Sequence, residues 1–286
     1  MNYELIDSYP FYVEPFHVDF RGNIFLSILG NHMLNAAGNH SQKRGWGIAT
    51  LNESQHTWVL SRLSIEMNEM PRQYEHCEVR TWVESVKRYF TNRNFSIHCA
   101  DGTPLGYARS VWAMIDLETR KPCDLLTLFD GDILNYVTPE DHKEPYSSGE
   151  GWKEAVCPIE GHGRFRFRDP EHLRTIDTHY SDVDINGHVN SMKYIEHILD
   201  LFPRERFEKQ QVRRIEIAYK AESYFGDRLS FYSQPVSNDE TDIEVRKQTR
   251  FEADGTTSQE QGETPSSPAS ERNEEVVCQA KVCFKD

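Results

Sequence analysis

Residues 184–189 of this chain read DINGHV, and residues 19–24 read DFRGNI, 165 positions earlier. At the same offset three further pairs match: Val18 with Val183, His32 with His197, and Leu34 with Leu199. An internal repeat of this kind indicates that one structural unit occurs twice in the chain.

Each copy of the repeat opens an apolar pattern that is typical of an amphipathic helix. In the first copy the apolar residues are Phe25, Ile28, Leu29, Met33 and Ala36. In the second copy they are Val189, Met192, Ile195, Ile198, Leu199 and Phe202. Spacings of three and four residues place each set on one stripe, so each predicted helix has one buried face. Pro203 is expected to mark the end of the second helix.

Segments typical of β-strands follow each predicted helix. They are rich in β-branched and aromatic residues and lie at 58–67, 77–86, 92–100 and 105–115, then at 212–219, 228–234, 243–251 and 276–284. Asp101-Gly102 is a hairpin signal within the first group. A long helix followed by an antiparallel sheet, occurring twice, predicts an α+β fold.

The repeat divides the chain into two predicted domains. The N-terminal domain is expected to cover residues 1–137 and the C-terminal domain residues 163–286. Residues 138–162 contain Pro, Gly, Ser and mixed charges, so we interpret them as a linker. Residues 252–275 are polar and lack a strand pattern, which predicts a disordered insertion within the second domain. A partner-binding loop is the alternative.

Composition and charge exclude several classes of protein. A net charge of −14 disfavours general nucleic-acid binding, because phosphate contact needs a basic face. The chain has no apolar run of membrane-spanning length, and its start lacks a signal-peptide pattern. The six cysteines show no metal-ligand spacing, and no phosphate-binding loop occurs. We expect a cytoplasmic protein with reduced thiols, without membrane insertion, metal or cofactor.

The segment SDVDINGHVNSMKY, residues 181–194, resembles the DxNxHVN-xxx-Y signature of plant and bacterial acyl-acyl-carrier-protein thioesterases. Residues 58–63, 108–115 with Thr119-Arg120, and 219–223 are similar to other stretches of that family. The resemblance covers most of the chain apart from the acidic insertion. It implies two fused hotdog domains, each an antiparallel sheet wrapped around one long helix. It also implies a hydrolase of fatty acid biosynthesis that releases fatty acid from acyl-carrier protein.

The resemblance places the catalytic residues in the second domain, at Asp184, Asn186, His188, Glu222 and Ser223. Physically, Gly187 would permit a tight entry into the helix, leaving His188 beside free backbone N–H groups that stabilise an oxyanion. His188 can exchange a proton near neutral pH, Asn186 can orient a water or the substrate, and Asp184 can hold one of them. Alternatively, Asp184 or Asn186 is a helix N-cap and His188 a surface histidine.

Two candidate groups could begin the attack on the thioester. Glu222 lies 34 residues beyond His188 and could activate a water molecule, although a solvated strand glutamate is the alternative. Ser223 stands where the plant family has cysteine, which puts a thiolate nucleophile in doubt. We therefore favour direct attack by water, with a serine nucleophile that needs a nearby base as the alternative.

The first copy lacks the groups expected to carry the chemistry. Arg21 replaces Asn186, and Asn23 replaces His188. We interpret the first domain as the one that holds the acyl chain, in a pocket expected to be lined by Phe25, Leu29, Trp58 and Leu60. The alternative is that these four side chains are ordinary core.

The expected partner is an acyl-carrier protein with its fatty acyl chain. Because carrier proteins are generally acidic, we predict docking at Arg213, Arg214 and Lys220, near a strand edge. Two fused hotdogs already form a pseudo-dimer, so a monomer or a homodimer is expected. The competing functions are an acyl-coenzyme A thioesterase, a non-catalytic acyl-binding hotdog protein, and hotdog dehydratase chemistry.

Overall fold

A computed structural model describes residues 4–138, 157–248 and 274–286. Its helices are α1 (Leu26–Lys43), α2 (Ile48–Glu53), α3 (Ser191–Leu199) and α4 (Arg204–Lys209). The strands of the first half are β1 (Asp7–Tyr12), β2 (His56–Met67), β3 (His76–Val86), β4 (Phe90–Cys99) and β5 (Pro104–Asp116). Those of the second half are β6 (Glu171–Asp177), β7 (Gln211–Tyr219), β8 (Arg228–Pro235), β9 (Glu240–Gln248) and β10 (Glu274–Lys285).

These ten strands form one antiparallel sheet in the order β1-β3-β4-β5-β2-β7-β10-β9-β8-β6. Each half contributes five strands, and the two halves have the same internal order, reversed about the centre of the sheet. The halves meet where β2 pairs with β7, from Arg62 opposite Ala218 to Glu66 opposite Arg214. The repeat in the sequence is therefore a repeat in the fold.

Helices α1 and α3 pack against each other within the sheet's main core. Leu29 and Met33 of α1 and Ile195 and Ile198 of α3 are buried there. Gly30 permits the close approach of the helices, because a Cβ at this position would overlap the sulfur of Met192. Each half thus packs five strands around one central helix, which confirms the expected tandem hotdog arrangement of the α+β class.

The strands at the two edges of the sheet, β1 and β6, are missing from the sequence predictions. β6 is mostly exposed and polar, and β1 carries Pro10, so neither shows an apolar run or a clean alternation. Edge strands pair on one side only and tolerate such residues, which hides them from pattern reasoning.

Both helices begin later than the apolar pattern predicts. α1 begins at Leu26 and α3 at Ser191, so Phe25 and Val189 precede the helices. α3 is capped by Asn190, whose side-chain oxygen accepts the Met192 N–H at 2.8 Å. The prediction for Pro203 is wrong, because α3 ends at Leu199 and Pro203 lies at the start of α4.

Much of the predicted linker and insertion, residues 139–156 and 252–273, lies outside the described residues, as do residues 249–251 at the end of a predicted strand. The described end of the linker packs closely: Cys157 and Ile159 are buried with Trp82. Glu274 and Glu275, the last two residues of the predicted insertion, belong to β10, where Glu274 pairs with Gln248 of β9. Over the three described stretches, no helix is long and apolar enough to cross a membrane.

Candidate active site

A closed turn precedes α3 and presents the residues of the DxNxH motif. The Asp184 carboxylate accepts the Asn186 N–H at 2.8 Å, and the Asp184 N–H donates to the His188 carbonyl at 2.9 Å. Gly187 has φ of +79°, in the left-handed region that favours glycine. Asp184 therefore stabilises the turn itself, and neither it nor Asn186 is the helix cap, which corrects the alternative from sequence.

His188 and Glu222 come together beside this turn. His188 bridges to Tyr224 through the backbone, and the N–H of Val189 donates to the Ser223 carbonyl at 2.7 Å. The His188 Nε2 lies 3.5 Å from Glu222 Oε2, and Tyr224 donates its hydroxyl to the same oxygen at 3.1 Å. The histidine and glutamate side chains are 26% and 30% exposed, so water reaches both. The pair can therefore exchange a proton with a water molecule or a substrate.

Glu222 is contacted by two cationic residues that were not predicted from the sequence to belong to the site. Arg120, from the turn after β5 in the first half, forms an ion pair with Glu222 Oε1. Lys247 of β9 donates to the Glu222 carbonyl at 2.8 Å. The similarity of Thr119-Arg120 to the family was the only sequence signal for Arg120, and it carries no information about position.

Ser223 is buried rather than presented to substrate. Ser223 is only 1% exposed, and its Oγ accepts a hydrogen bond from the Tyr194 hydroxyl at 2.9 Å. Burial raises the pKa of Tyr194, so that hydroxyl stays protonated as a donor. Across the described residues, no hydrogen bond joins the Ser223 hydroxyl to a histidine. The serine therefore lacks the base that a serine nucleophile needs.

The backbone amides around His188 are largely occupied. The Asn186 N–H donates to Asp184 Oδ1, and the Gly187 N–H donates to the Asp184 carbonyl. The Val189 N–H donates to the Ser223 carbonyl. Because α3 begins three residues after His188, that histidine does not lie in the first helical turn. The expected oxyanion site at free backbone amides therefore stays a prediction, and the side chains of Asn186 and His188 are further candidate donors beside this turn.

A cavity of about 460 Å³ joins the two halves at the motif turn. The second half contributes Asp184, Asn186 and Ser191 to its wall, and the first half contributes Trp58, Leu60, Trp112 and Ile133. Trp58 and Leu60 thus line a largely apolar space that reaches Asn186. His188 and Glu222 do not line this cavity, but they lie beside the motif turn that forms part of its wall.

Part of the cavity wall carries buried charge. Arg93 is buried and donates to the hydroxyls of Thr81 at 3.1 Å and Ser41 at 3.2 Å. Burial and the nearby Arg44 lower the pKa of Arg93 to about 10, and burial with the same arginines lowers the pKa of His40 to about 2. His40 is therefore neutral in the folded protein. An alkyl chain gains nothing by contact with these polar groups, so they bound the apolar part of the cavity.

The structure separates Phe25 and Leu29 from this cavity. Phe25 lines a second cavity of about 680 Å³, beside the first-copy turn and the end of α3. Leu29 is fully buried in the core between the helices and the sheet. The physical reason is the pseudo-symmetry: Phe25 precedes α1 as Asn190 precedes α3, so each faces the cavity of its own turn.

Two of the three basic residues of the predicted docking patch, Arg213 and Arg214, already pair with carboxylates. Arg213 pairs with Glu66 at 3.3 Å, and Arg214 pairs with Glu66 and Glu216, each at 2.9 Å. Strand β7 lies at the centre of the sheet rather than at an edge. The paired arginines offer little field to an acidic partner, and β7 is not an edge strand, whereas docking at Lys220 stays a prediction. In the described part of the chain, no group of three or more His, Cys, Asp or Glu side chains could hold a metal ion.

Two family models match the chain and divide it as the fold does. The acyl-ACP thioesterase N-terminal domain matches residues 8–129, and the acyl-ACP thioesterase C-terminal domain matches residues 168–270. Together they cover well over half of the sequence.

Solved structures agree with this match. An acyl-ACP thioesterase from Bacteroides thetaiotaomicron is 48% identical, with 98% of each chain covered and a TM-score of 0.80. The 12:0-ACP thioesterase from Umbellularia californica covers 100% of this chain and 99% of its own, with a TM-score of 0.75. At 16% identity, that second likeness shows the fold alone.

Curated plant relatives are more distant and longer. Oleoyl-acyl carrier protein thioesterase 2 of Arabidopsis thaliana is 25% identical over 74% of this chain, which spans 58% of that relative. The oleoyl-acyl carrier protein thioesterase of Coriandrum sativum is 26% identical over 82% of this chain, which spans 63% of the relative. With both family models matched in chain order and a close structural counterpart along its whole length, this chain belongs to the acyl-ACP thioesterase family.

Proposed function

We propose that this protein hydrolyses the thioester of a fatty acyl group carried on acyl-carrier protein, releasing the free fatty acid and the carrier thiol. The observation that carries the proposal is the His188–Glu222 pair, 3.5 Å apart, beside the turn that also walls an apolar cavity. Membership of the acyl-ACP thioesterase family supports acyl-carrier protein as the group that carries the thioester sulfur.

The acyl chain occupies the cavity of about 460 Å³, against Trp58 and Leu60. The thioester carbonyl then lies at the motif turn, where the exposed Asn186 carboxamide can donate a hydrogen bond to the carbonyl oxygen. Asp184 holds Asn186 in place through the turn hydrogen bond of 2.8 Å. Donors aimed at developing oxyanion charge contribute factors of about 10²–10³ in rate each.

Glu222 acts as the general base in this proposal. A water molecule attacks the carbonyl carbon while its proton passes to the Glu222 carboxylate, and the oxyanion forms at the carbonyl oxygen. The intermediate then collapses, the carbon–sulfur bond breaks, and the carrier sulfur takes a proton delivered through His188. The buried, tyrosine-bonded Ser223 supports water rather than serine as the nucleophile.

The test is thiol release from a panel of acyl-carrier proteins with chains of different length, and from the matching acyl-coenzyme A esters. We expect a higher kcat/KM on the carrier-bound substrate. Equal or higher turnover of the coenzyme A ester would contradict the carrier assignment. Tight binding of acyl carrier without thiol release would contradict hydrolysis altogether.

A further inference from the structure

One ion pair crosses from the first half of the molecule to the proposed base. The Arg120 guanidinium contacts Glu222 Oε1, across 102 positions of sequence. The other carboxylate oxygen, Oε2, faces His188 at 3.5 Å and the Tyr224 hydroxyl at 3.1 Å. The two oxygens of Glu222 therefore have different surroundings. The contact at Oε1 comes from the first half of the chain.

The turn that carries Arg120 is closely held. The Asp116 carboxylate accepts the N–H of Thr119 at 2.7 Å and its hydroxyl at 2.8 Å, and these bonds lower the pKa of Asp116. The Arg120 N–H donates to the Asp116 carbonyl at 2.9 Å. Arg120 has φ of +58°, in the left-handed region that residues with a side chain seldom adopt. Unusual backbone geometry held by surrounding bonds is frequent where a side chain must be aimed.

Besides the Arg120 ion pair and the hydrogen bond from the Tyr224 hydroxyl, Glu222 is held through its backbone. Lys247 donates to the Glu222 backbone carbonyl at 2.8 Å and lies 3.4 Å from the Glu275 carboxylate and 4.0 Å from that of Asp227, so its charge is shared with two other carboxylates. A carboxylate with one anchored oxygen presents the other in a defined direction, and general-base catalysis requires that direction to meet the attacking water.

We propose that Arg120 is a positioning residue for catalysis: it anchors Oε1 of Glu222 so that Oε2 is presented to the water beside His188. The inference rests on the proposed function, in which Glu222 accepts the proton of water. It also gives the first half, which lacks the motif histidine, a direct part in the chemistry of the second.

Stability is a poor explanation for this ion pair. The Arg120 and Glu222 side chains are 43% and 30% exposed, and exposed pairs contribute little to folding. The same half offers a matched control, the exposed pair of Arg88 with Asp124 at 2.8 Å, which is not in the site.

The experiment compares Arg120→Gln with Arg88→Gln in the full chain, on an acyl-carrier substrate. We expect Arg120→Gln to lower kcat by a factor of about 10–100, the scale of a misplaced catalytic group, with KM changed by less than about twofold. Arg88→Gln should leave both constants unchanged, and both variants should melt close to the wild type. Arg120→Lys, which keeps the cation, should recover part of kcat.

A double-mutant cycle separates this inference from the proposed function. If Arg120 acts through Glu222, adding Arg120→Gln to Glu222→Gln should lower activity no further. A fully active Glu222→Gln variant would overturn the proposed base and the inference together. An inactive Glu222→Gln beside an Arg120→Gln variant with wild-type kcat would overturn the inference alone, as would an undiminished effect of Arg120→Gln in the double mutant.

Discussion

The two motif turns of this molecule have nearly the same backbone. In the first, the Asp19 N–H donates to the Asn23 carbonyl at 2.8 Å; in the second, the Asp184 N–H donates to the His188 carbonyl at 2.9 Å. Gly22 and Gly187 both have φ of +79°. The aspartate carboxylate accepts the N–H of the second residue after it at 2.8 Å in both copies. A shared turn therefore does not by itself make a catalytic site.

The side chains placed on that backbone differ at each position with a proposed role. Arg21 stands in the place of Asn186 and donates to the Gln210 carbonyl at 2.9 Å, so it is engaged within the protein. Asn23 stands in the place of His188. The Ile24 N–H donates to the Pro71 carbonyl, just as the Val189 N–H donates to the Ser223 carbonyl. Pro71 is therefore the counterpart of Ser223, and Met70, the residue before it, is the counterpart of Glu222. The comparison shows that the fold gives both turns the same backbone. The proposed catalytic role of the second turn depends on a few side chains that the first turn lacks.

The largest effect is expected when the second turn is made like the first. His188→Asn introduces the residue that the first turn carries at Asn23, and asparagine cannot transfer a proton. We expect kcat to fall by a factor of about 10²–10⁴, the usual contribution of general acid–base catalysis. The melting temperature should hardly change, because the first turn accommodates asparagine with the same backbone. Near-normal thiol release by the folded variant would remove His188 from the mechanism.

The two cavities can be compared with one truncation in each. Trp58→Ala enlarges the cavity at the second turn, and Phe25→Ala enlarges the cavity at the first. Since each buried methylene contributes about 0.8 kcal/mol, Trp58→Ala should raise the relative kcat/KM for a chain two carbons longer by about tenfold.

Phe25→Ala is the control and should leave the profile of released fatty acids unchanged, as measured by gas chromatography. A change of profile with Phe25→Ala alone would mean that the acyl chain occupies the cavity of about 680 Å³ instead.

The central helices also differ in how they hold a histidine. His197 of α3 lies 3.0 Å from the Asp182 carboxylate, whereas His40 of α1 is buried with its pKa lowered to about 2. His40 stays neutral in the folded state while the unfolded chain protonates near pH 6.5, so stability falls as the pH drops below that value. The loss attributable to His40 should be about 1 kcal/mol between pH 6.5 and 5.5.

His40→Gln should remove that part of the pH dependence, measured as the free energy of unfolding in urea at the two pH values. An unchanged difference between pH 6.5 and 5.5 would show that His40 is not the group responsible.

The smallest effect is expected at Ser223, whose counterpart in the first half is Pro71. Ser223→Ala removes the hydrogen bond from Tyr194 and should cost about 0.5–1.5 kcal/mol of stability. Activity should stay within a few fold of the wild type, because water is the proposed nucleophile. A fall by orders of magnitude, or an acyl group found on Ser223 by mass spectrometry, would favour the serine route.

Local signals in the sequence were sufficient to predict the repeat, most of the central strands and the motif turn. Hydrophobic periodicity reports which residues are buried, and Gly187 with Asp184 specifies a turn through contacts only two or three residues apart. The same signals failed where the local pattern was weak, as in the polar edge strand β6, and where a side-chain cap moved the start of α3 to Ser191.

By itself, then, the sequence determined the α+β class, the twofold repeat, the family and the half that carries the motif, because each follows from composition and short-range pattern. Only the tertiary structure decided which cavity Phe25 and Trp58 line, that Ser223 is buried against Tyr194, and that Arg120 meets Glu222. These contacts join residues far apart in the chain through the pairing of β2 with β7 and the packing of α1 on α3. Periodicity states that a side chain is buried or exposed, but the partner it meets is set by how the two halves assemble.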